Sequence, residues 1–164
     1  MFTTQAEQEF FLSHLNKNQK VLEWGSGSST KEISSRVNSV LSIEHDLEWF
    51  NKVKETLPDN SKLVHIPTKY QHNNLIHGDG MYDNFEDYVN YPLLEDNKYD
   101  IIFIDGRCRV ECASICKLIT HEESIVFIHD FLLDVPCRKI YASALNYLEK
   151  IDQVQSMAKF KVKR

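Results

Sequence analysis

The segment Val21-Leu22-Glu23-Trp24-Gly25-Ser26-Gly27-Ser28-Ser29-Thr30 constrains the fold more than any other stretch of the chain. It reads as a short apolar strand, a Gly-x-Gly turn and a helix opened by hydroxyl residues. Glycines in such a turn let the backbone approach a ligand closely, and the helix N-terminus behind them offers unpaired N–H groups. The acid two residues before the first glycine narrows the choice of ligand. A carboxylate at Glu23 repels a dinucleotide pyrophosphate and attracts a cation. Thr30 also stands where a dinucleotide fingerprint places its third glycine.

A second acid agrees. Leu41-Ser42-Ile43-Glu44 reads as the next strand and ends 19 residues after Gly25. An acid about 20 residues on, at the end of the second strand, hydrogen-bonds a ribose diol in nucleotide-binding βαβ units. A nucleoside carrying positive charge satisfies both acids, and S-adenosylmethionine (SAM), with its ammonium and sulfonium, is such a ligand. The alternatives are another nucleotide or a glycine turn that is only structural.

Beyond these motifs, helix and strand patterns alternate. Thr4 and Glu7 have capping-box spacing, opening a helix with Phe10, Phe11 and Leu15 on one face. Ser29 and Glu32 repeat that spacing after the glycine turn. Residues 39–44 and 62–66 read as strands, separated by a helix carrying Leu47, Phe50, Val53 and Leu57. The continuous apolar run 99–104, closed by Asp105, suits a central parallel strand covered on both faces. A helix over 110–119, a strand over 124–128 ending in His129-Asp130, a helix from Pro136 through Leu148 and a closing hairpin within 154–162 complete the pattern. Residues 67–97 are the least regular. They contain His72, His77, Gly78-Asp79-Gly80 and four tyrosines (Tyr70, Tyr82, Tyr88, Tyr91). A loop-rich segment of this length is usually functional, here a lid or a surface that stacks on a sugar ring.

Such alternation predicts a doubly wound α/β fold with a mainly parallel sheet. Ligands of these sheets bind at the carboxyl ends of the strands. Glu23, Glu44, Asp105 and His129-Asp130 each fall at the end of a different predicted strand.

The 164 residues make one domain, 1–164, with 1–19 as an N-terminal helix. A net charge of −5 argues against a nucleic-acid partner, despite four cations among the last six residues. No run reaches the ~20 apolar residues of a membrane span, and the start lacks a secretory pattern. Cys108, Cys112 and Cys116 line one helical stripe without the second ligand pair of a zinc site. They read as small, reduced core residues, which fits a cytoplasmic protein.

Four motifs, from about residue 20 to the end, resemble those of class I SAM-dependent methyltransferases. They are Glu23-Trp24-Gly25-Ser26-Gly27-Ser28-Ser29-Thr30, Ile43-Glu44-His45-Asp46, Asp100-Ile101-Ile102-Phe103-Ile104-Asp105-Gly106-Arg107 and Val126-Phe127-Ile128-His129-Asp130-Phe131. More loosely they are similar to a small branch related at a distance to the enzymes that O-methylate glucuronic acid on xylan. The resemblance implies a Rossmann-like sheet of seven strands in the order 3-2-1-4-5-7-6, with strand 7 antiparallel. It also implies that Gly25 and Gly27 pass under SAM, with Glu23, Ser28, Ser29 and Thr30 close by. Glu44 takes the ribose, His45 or Asp46 lies near adenine, and Asp105 stands between the methionine end and the acceptor. S-adenosylhomocysteine is the product. Asp79 is the candidate for an adenine contact after strand three. No substrate domain is present, so specificity falls to the N-terminal helix, residues 67–97 and the loops after strands four and five.

The implied reaction is methylation of a small or carbohydrate-like acceptor, at oxygen. His129 is the expected base, oriented by Asp130 or Asp105, unless it only caps its strand. Asp105 and Asp130 form a possible Mg²⁺ pair, as in catechol-type O-methyltransferases. Arg107 and Arg109 suit an anionic acceptor, or else salt-bridge to Glu111 or Asp105. A SAM-fold binding or regulatory protein without turnover is the main alternative, and an NAD-dependent oxidoreductase the distant one. Glu23→Gln separates the last: the oxidoreductase reading expects better dinucleotide binding, and the SAM reading a clear loss of SAM affinity. The oligomeric state, a homodimer included, stays open.

Overall fold

The apolar runs that read as strands all enter one sheet. The computed structural model describes residues 4–69 and 79–164. In chain order the elements are α1 (Gln5–Leu12), β1 (Lys20–Trp24), α2 (Ser28–Ser34), β2 (Ser39–Glu44), α3 (Leu47–Lys54) and β3 (Ser61–His65). They continue with α4 (Tyr82–Asn90), β4 (Tyr99–Ile104), α5 (Arg109–Ile119), β5 (Thr120–Ile128), β6 (Leu148–Val154) and β7 (Met157–Val162). A 3-10 turn runs over Tyr91–Leu94, and a longer 3-10 stretch of 11 residues over Pro136–Asn146. The strand order is β3-β2-β1-β4-β5-β7-β6, with β7 antiparallel to both of its neighbours. This is the Rossmann-like arrangement expected.

β1 and β4 lie at the centre and are buried on both faces. Leu22, Trp24, Ile102 and Ile104 point into one core with Tyr88, Cys112, Cys116 and Tyr141. Val21, Ile101 and Phe103 point into the other with Phe11, Ile33 and Phe127. Burying each large apolar side chain contributes about 1.5–3 kcal/mol. α1, which lies outside the strand–helix alternation, adds to the second core by stacking Phe11 against Phe103 and Phe127, with ring centroids 4.7 and 4.9 Å apart.

Several local expectations shift. The predicted last helix stops short of Leu148, because this fully buried residue pairs with Val162 and opens β6. Helix α2 is capped by Gly27 and Thr30, not by Ser29 and Glu32. The Thr30 hydroxyl accepts the Gly27 N–H at 2.9 Å, while Ser29 turns inward. Thr4 caps α1 as expected, accepting the Glu7 N–H at 3.3 Å, but the Glu7 side chain does not return to the cap; it is buried. Residues 82–94 are helical although they read as loop. Phe85, Tyr88 and Val89 bury one face of α4 at i, i+3 and i+4 spacing, a signal diluted by the polar residues between them. The expectations for Tyr70, His72, His77 and Gly78 fall outside the described residues. Cys108, Cys112 and Cys116 are buried free thiols on α5 and its N-cap, and Cys137 is exposed. No described helix is long and apolar enough to cross a membrane.

Candidate functional site

The glycine turn leaves β1 where two backbones cross. Gly25 adopts φ +91°, the left-handed region that glycine tolerates. A Cβ built there would lie 2.7 Å from the Cα and N of Gly106, which follows β4. Gly106 is confined in turn, since its own Cβ would meet the Tyr88 hydroxyl at 2.0 Å. Gly27 is different. It is extended, at φ −176°, and its Cβ would make only ordinary contacts of 3.7 and 3.9 Å with Ser29 and Trp49.

Glu23 stands behind this turn, fully buried. Its position in β1 pairs with Ser42 of β2. The hydroxyls of Ser42 and Thr30 donate to Oε2, both at 2.6 Å, and Ser29 donates to Oε1 at 2.9 Å. Burial raises the pKa from 4.5 to about 7, with the three hydroxyls pulling the other way. Glu23 therefore links β1, β2 and the first turn of α2. Neither it nor Ser28, Ser29 or Thr30 lines the pocket that opens above.

That pocket, of about 490 Å³, lies at the carboxyl ends of β1, β2 and β4, where the sheet rule places a ligand. Gly25, Gly27, Glu44, His45, Asp105, Arg107 and Arg109 are all on its wall. Glu44 is aimed by four donors. The N–H groups of His45 and Asp46 reach Oε1 at 2.8 and 2.9 Å, and the Ser26 N–H and hydroxyl reach Oε2, both at 3.0 Å. Burial opposes the charge, but His45, the Asp46 N–H and Ser26 outweigh it and hold the carboxyl below its usual range. Trp49 of α3 also borders the pocket and donates its indole N–H to the Ser26 carbonyl at 2.5 Å. The sequence reading singled out neither Trp49 nor Ser26. Gly106 was also missed, although a glycine directly after the acid that closes β4 is a readable signal of close approach.

Beside the pocket the loops after β4 and β5 are stitched together. Asp105 Oδ1 lies 2.9 Å from His129 Nδ1, and His129 Nε2 lies 3.4 Å from Oε2 of Glu7 on α1. Burial disfavours charge on His129, but the Asp105 hydrogen bond and the charges of Asp105 and Asp130 prevail and raise its pKa. For Asp105, burial is likewise outweighed by His129 and Arg109, so the carboxyl is held low. His129 is 3% exposed and does not line the pocket, so the expected base has its ring enclosed between two carboxylates.

Arg109 is a clamp. Its Nε donates to the Gly106 carbonyl at 3.0 Å, Nη1 to the His129 carbonyl, and Nη2 to the Asp105 carbonyl at 3.3 Å. Nη2 also lies 3.5 Å from Asp130 Oδ2, and the side chain is 8% exposed. The salt bridge to Asp105, expected as the alternative to substrate binding, is present at 3.6 Å. Arg109 borders the pocket, but Asp79 does not. Its carboxylate accepts the Arg109 N–H at 3.0 Å and its carbonyl the Cys108 N–H at 2.7 Å, capping α5.

Asp105, His129 and Asp130 bring ligand atoms within 4.8 Å of one another, a spacing compatible with a metal ion. The surroundings do not suit Mg²⁺. Asp105 Oδ1 is engaged by His129, and Asp130 Oδ2 by Arg138 at 3.0 Å and Arg109 at 3.5 Å. Two guanidinium groups already supply the positive charge that a divalent cation would bring.

No family model matches the chain, and a search of curated proteins finds no significant match. Solved structures do match. A methyltransferase-like protein from Silicibacter pomeroyi superposes with a TM-score of 0.71 at 20% identity, covering 99% of this chain and 88% of its own. A putative methyltransferase from Streptococcus mutans, in complex with S-adenosylhomocysteine, gives 0.66 at 10% identity, covering 99% and 100%. A precorrin-8w decarboxylase from Methanobacterium thermoautotrophicum gives 0.64 at 16%, covering 98% and 89%. The chain shares the Rossmann-like fold of these proteins.

Proposed function

We propose that this protein is a SAM-dependent methyltransferase acting on a small acceptor. One observation carries the reading. The pocket joins the Gly25–Gly106 crossing to an aimed, ionised carboxylate, Glu44, at the end of β2. The complex of the similar Streptococcus mutans protein with S-adenosylhomocysteine supports the same ligand. When bound, SAM supplies an electrophilic methyl group on a sulfonium. Glu44, ionised on the pocket wall, accepts the ribose hydroxyls by sharing acceptor positions with the donors that aim it. Gly25 lets the chain pass close beneath the ligand, His45 and Trp49 border it, and Asp105 offers a negative wall to an ammonium or an acceptor hydroxyl. Positioning is then the main contribution of the chain to the rate.

The acceptor in this proposal is anionic and carbohydrate-like, methylated at oxygen. Arg107 on the pocket wall supports an anionic group. Asp105, backed by His129 and Asp130, is the group that orients the hydroxyl and shares its proton. Binding without turnover is the second reading, favoured by the enclosure of the His129 ring.

Calorimetric titration with S-adenosylhomocysteine, beside an NAD control, is the test. Micromolar binding, about −8 kcal/mol, is expected, followed by methyl transfer from SAM to uronic acids or related hydroxyl acceptors. Failure to bind S-adenosylhomocysteine overturns the proposal; binding with no transfer to any acceptor supports the second reading.

A further inference from the structure

Glu7 is the one residue of α1 whose charge is buried against the pocket loops. It is 1% exposed. Oε1 accepts the Ser156 N–H at 2.9 Å and the Ser156 hydroxyl, in the turn between β6 and β7. This anchor leaves Oε2 facing His129 Nε2 at 3.4 Å. The opposite ring nitrogen faces Asp105 Oδ1 at 2.9 Å. A chain of carboxylate, imidazole and carboxylate thus runs from the N-terminal helix to the wall of the pocket. Only its last member, Asp105, lines that wall.

We propose that Glu7 is a positioning residue for the pocket, acting through His129 to fix the direction and charge of the Asp105 carboxylate. Three arguments favour it. Docking of α1 does not require a carboxylate, since Phe11 already anchors the helix between Phe103 and Phe127. A buried carboxylate is costly unless paired, and His129 Nε2, at 3.4 Å on a ring 122 residues away, is one of the groups that offset that cost. Only an imidazolium can donate from both nitrogens, so a carboxylate on each side selects the charged, fixed ring. With that ring behind it, Asp105 stays ionised and pointed in one direction. Ligand affinity consequently depends on an element outside the β/α alternation.

The test rests on the SAM reading for one of its three readouts. Glu7→Gln keeps the shape and an acceptor for Ser156 but removes the charge. Phe11→Leu loosens α1 without touching the chain. Both are compared with wild type by urea unfolding, by S-adenosylhomocysteine titration and by the ¹⁵N shifts of the His129 ring at fixed neutral pH. Glu7→Gln is expected to weaken S-adenosylhomocysteine roughly tenfold and to abolish the doubly protonated ring signature. Phe11→Leu, at a similar loss of stability, keeps the signature and changes affinity less than about threefold. Wild-type affinity and ring signature in Glu7→Gln overturn the proposal, as does equal weakening by Phe11→Leu. If Glu7→Gln does not fold, Ser156→Ala replaces it, removing the hydroxyl that aims the carboxylate; an unchanged ring signature there also overturns it. If wild type binds no S-adenosylhomocysteine, the proposed function fails and the ring signature alone decides the role of Glu7.

Discussion

Gly25 and Gly106 touch through their backbones, the nitrogen of Gly25 lying 3.0 Å from where a Cβ on Gly106 would stand. They sit 81 positions apart, after neighbouring central strands, and each leaves room for the other. The turn that reads as a self-contained Gly-x-Gly motif is therefore completed from elsewhere in the chain.

The two motif glycines are not equivalent. Gly25→Ala and Gly106→Ala each meet backbone or Tyr88 below 3 Å. Each is expected to cost about 2 kcal/mol or more of stability and to weaken S-adenosylhomocysteine at least tenfold. Gly27→Ala meets no such obstacle and should keep near-wild-type stability. Urea unfolding and calorimetry on the three variants check this, and a severe Gly27→Ala defect contradicts it.

Glu23 predicts a pH dependence. Its pKa rises on folding from 4.5 to about 7. Between those values the native state keeps a proton that the unfolded chain has released, so stability falls as pH rises through the window. At about 1.4 kcal/mol per unit the loss totals about 3 kcal/mol. Glu23→Gln, still able to bond the three hydroxyls, should flatten this part of the profile and be the more stable protein at pH 8. Because Glu23 does not line the pocket, ligand affinity should shift less than about threefold, a smaller effect than the motif alone suggests. Unfolding at pH 5 and 8, for both proteins, measures it.

The adjacent arginines should separate cleanly. Arg109→Ala removes the buried guanidinium from Asp79 and Asp105 and is expected to cost about 3–5 kcal/mol of stability. Arg107→Ala should cost less stability than Arg109→Ala while raising KM for an anionic acceptor. S-adenosylhomocysteine binding should be intact in Arg107→Ala. Thermal unfolding paired with acceptor kinetics distinguishes the two.

Chelation tests the charge argument at Asp105 and Asp130. With Arg109 and Arg138 on Asp130 and His129 on Asp105, EDTA is expected to leave both ligand binding and methyl transfer unchanged. A loss of activity restored by Mg²⁺ would show that the guanidinium groups yield to a metal.

What the sequence determined by itself was the sheet and its ligand-bearing edge. Local patterns suffice for that, because a buried parallel strand must be continuously apolar, as 99–104 is, and an acid after it must sit at the strand end. Glu44, His45, Asp105 and Arg107 reached the pocket for this reason. Only the tertiary structure decided which polar groups face a ligand and which are consumed internally. Glu23, Arg109 and Asp79 look like site residues in the sequence. In the fold Glu23 satisfies the hydroxyls of two neighbouring elements and Asp79 caps α5, while Arg109 borders the pocket but spends its donors on the carbonyls of Gly106, Asp105 and His129. Glu7 looks like half of a capping box, yet its carboxylate meets Ser156 and His129. Hydrogen bonding is short-ranged and directional, so a side chain's role depends on what lies within about 3 Å of it. Sequence spacing predicts such neighbours along one helix or strand, not between elements that meet only when the sheet closes.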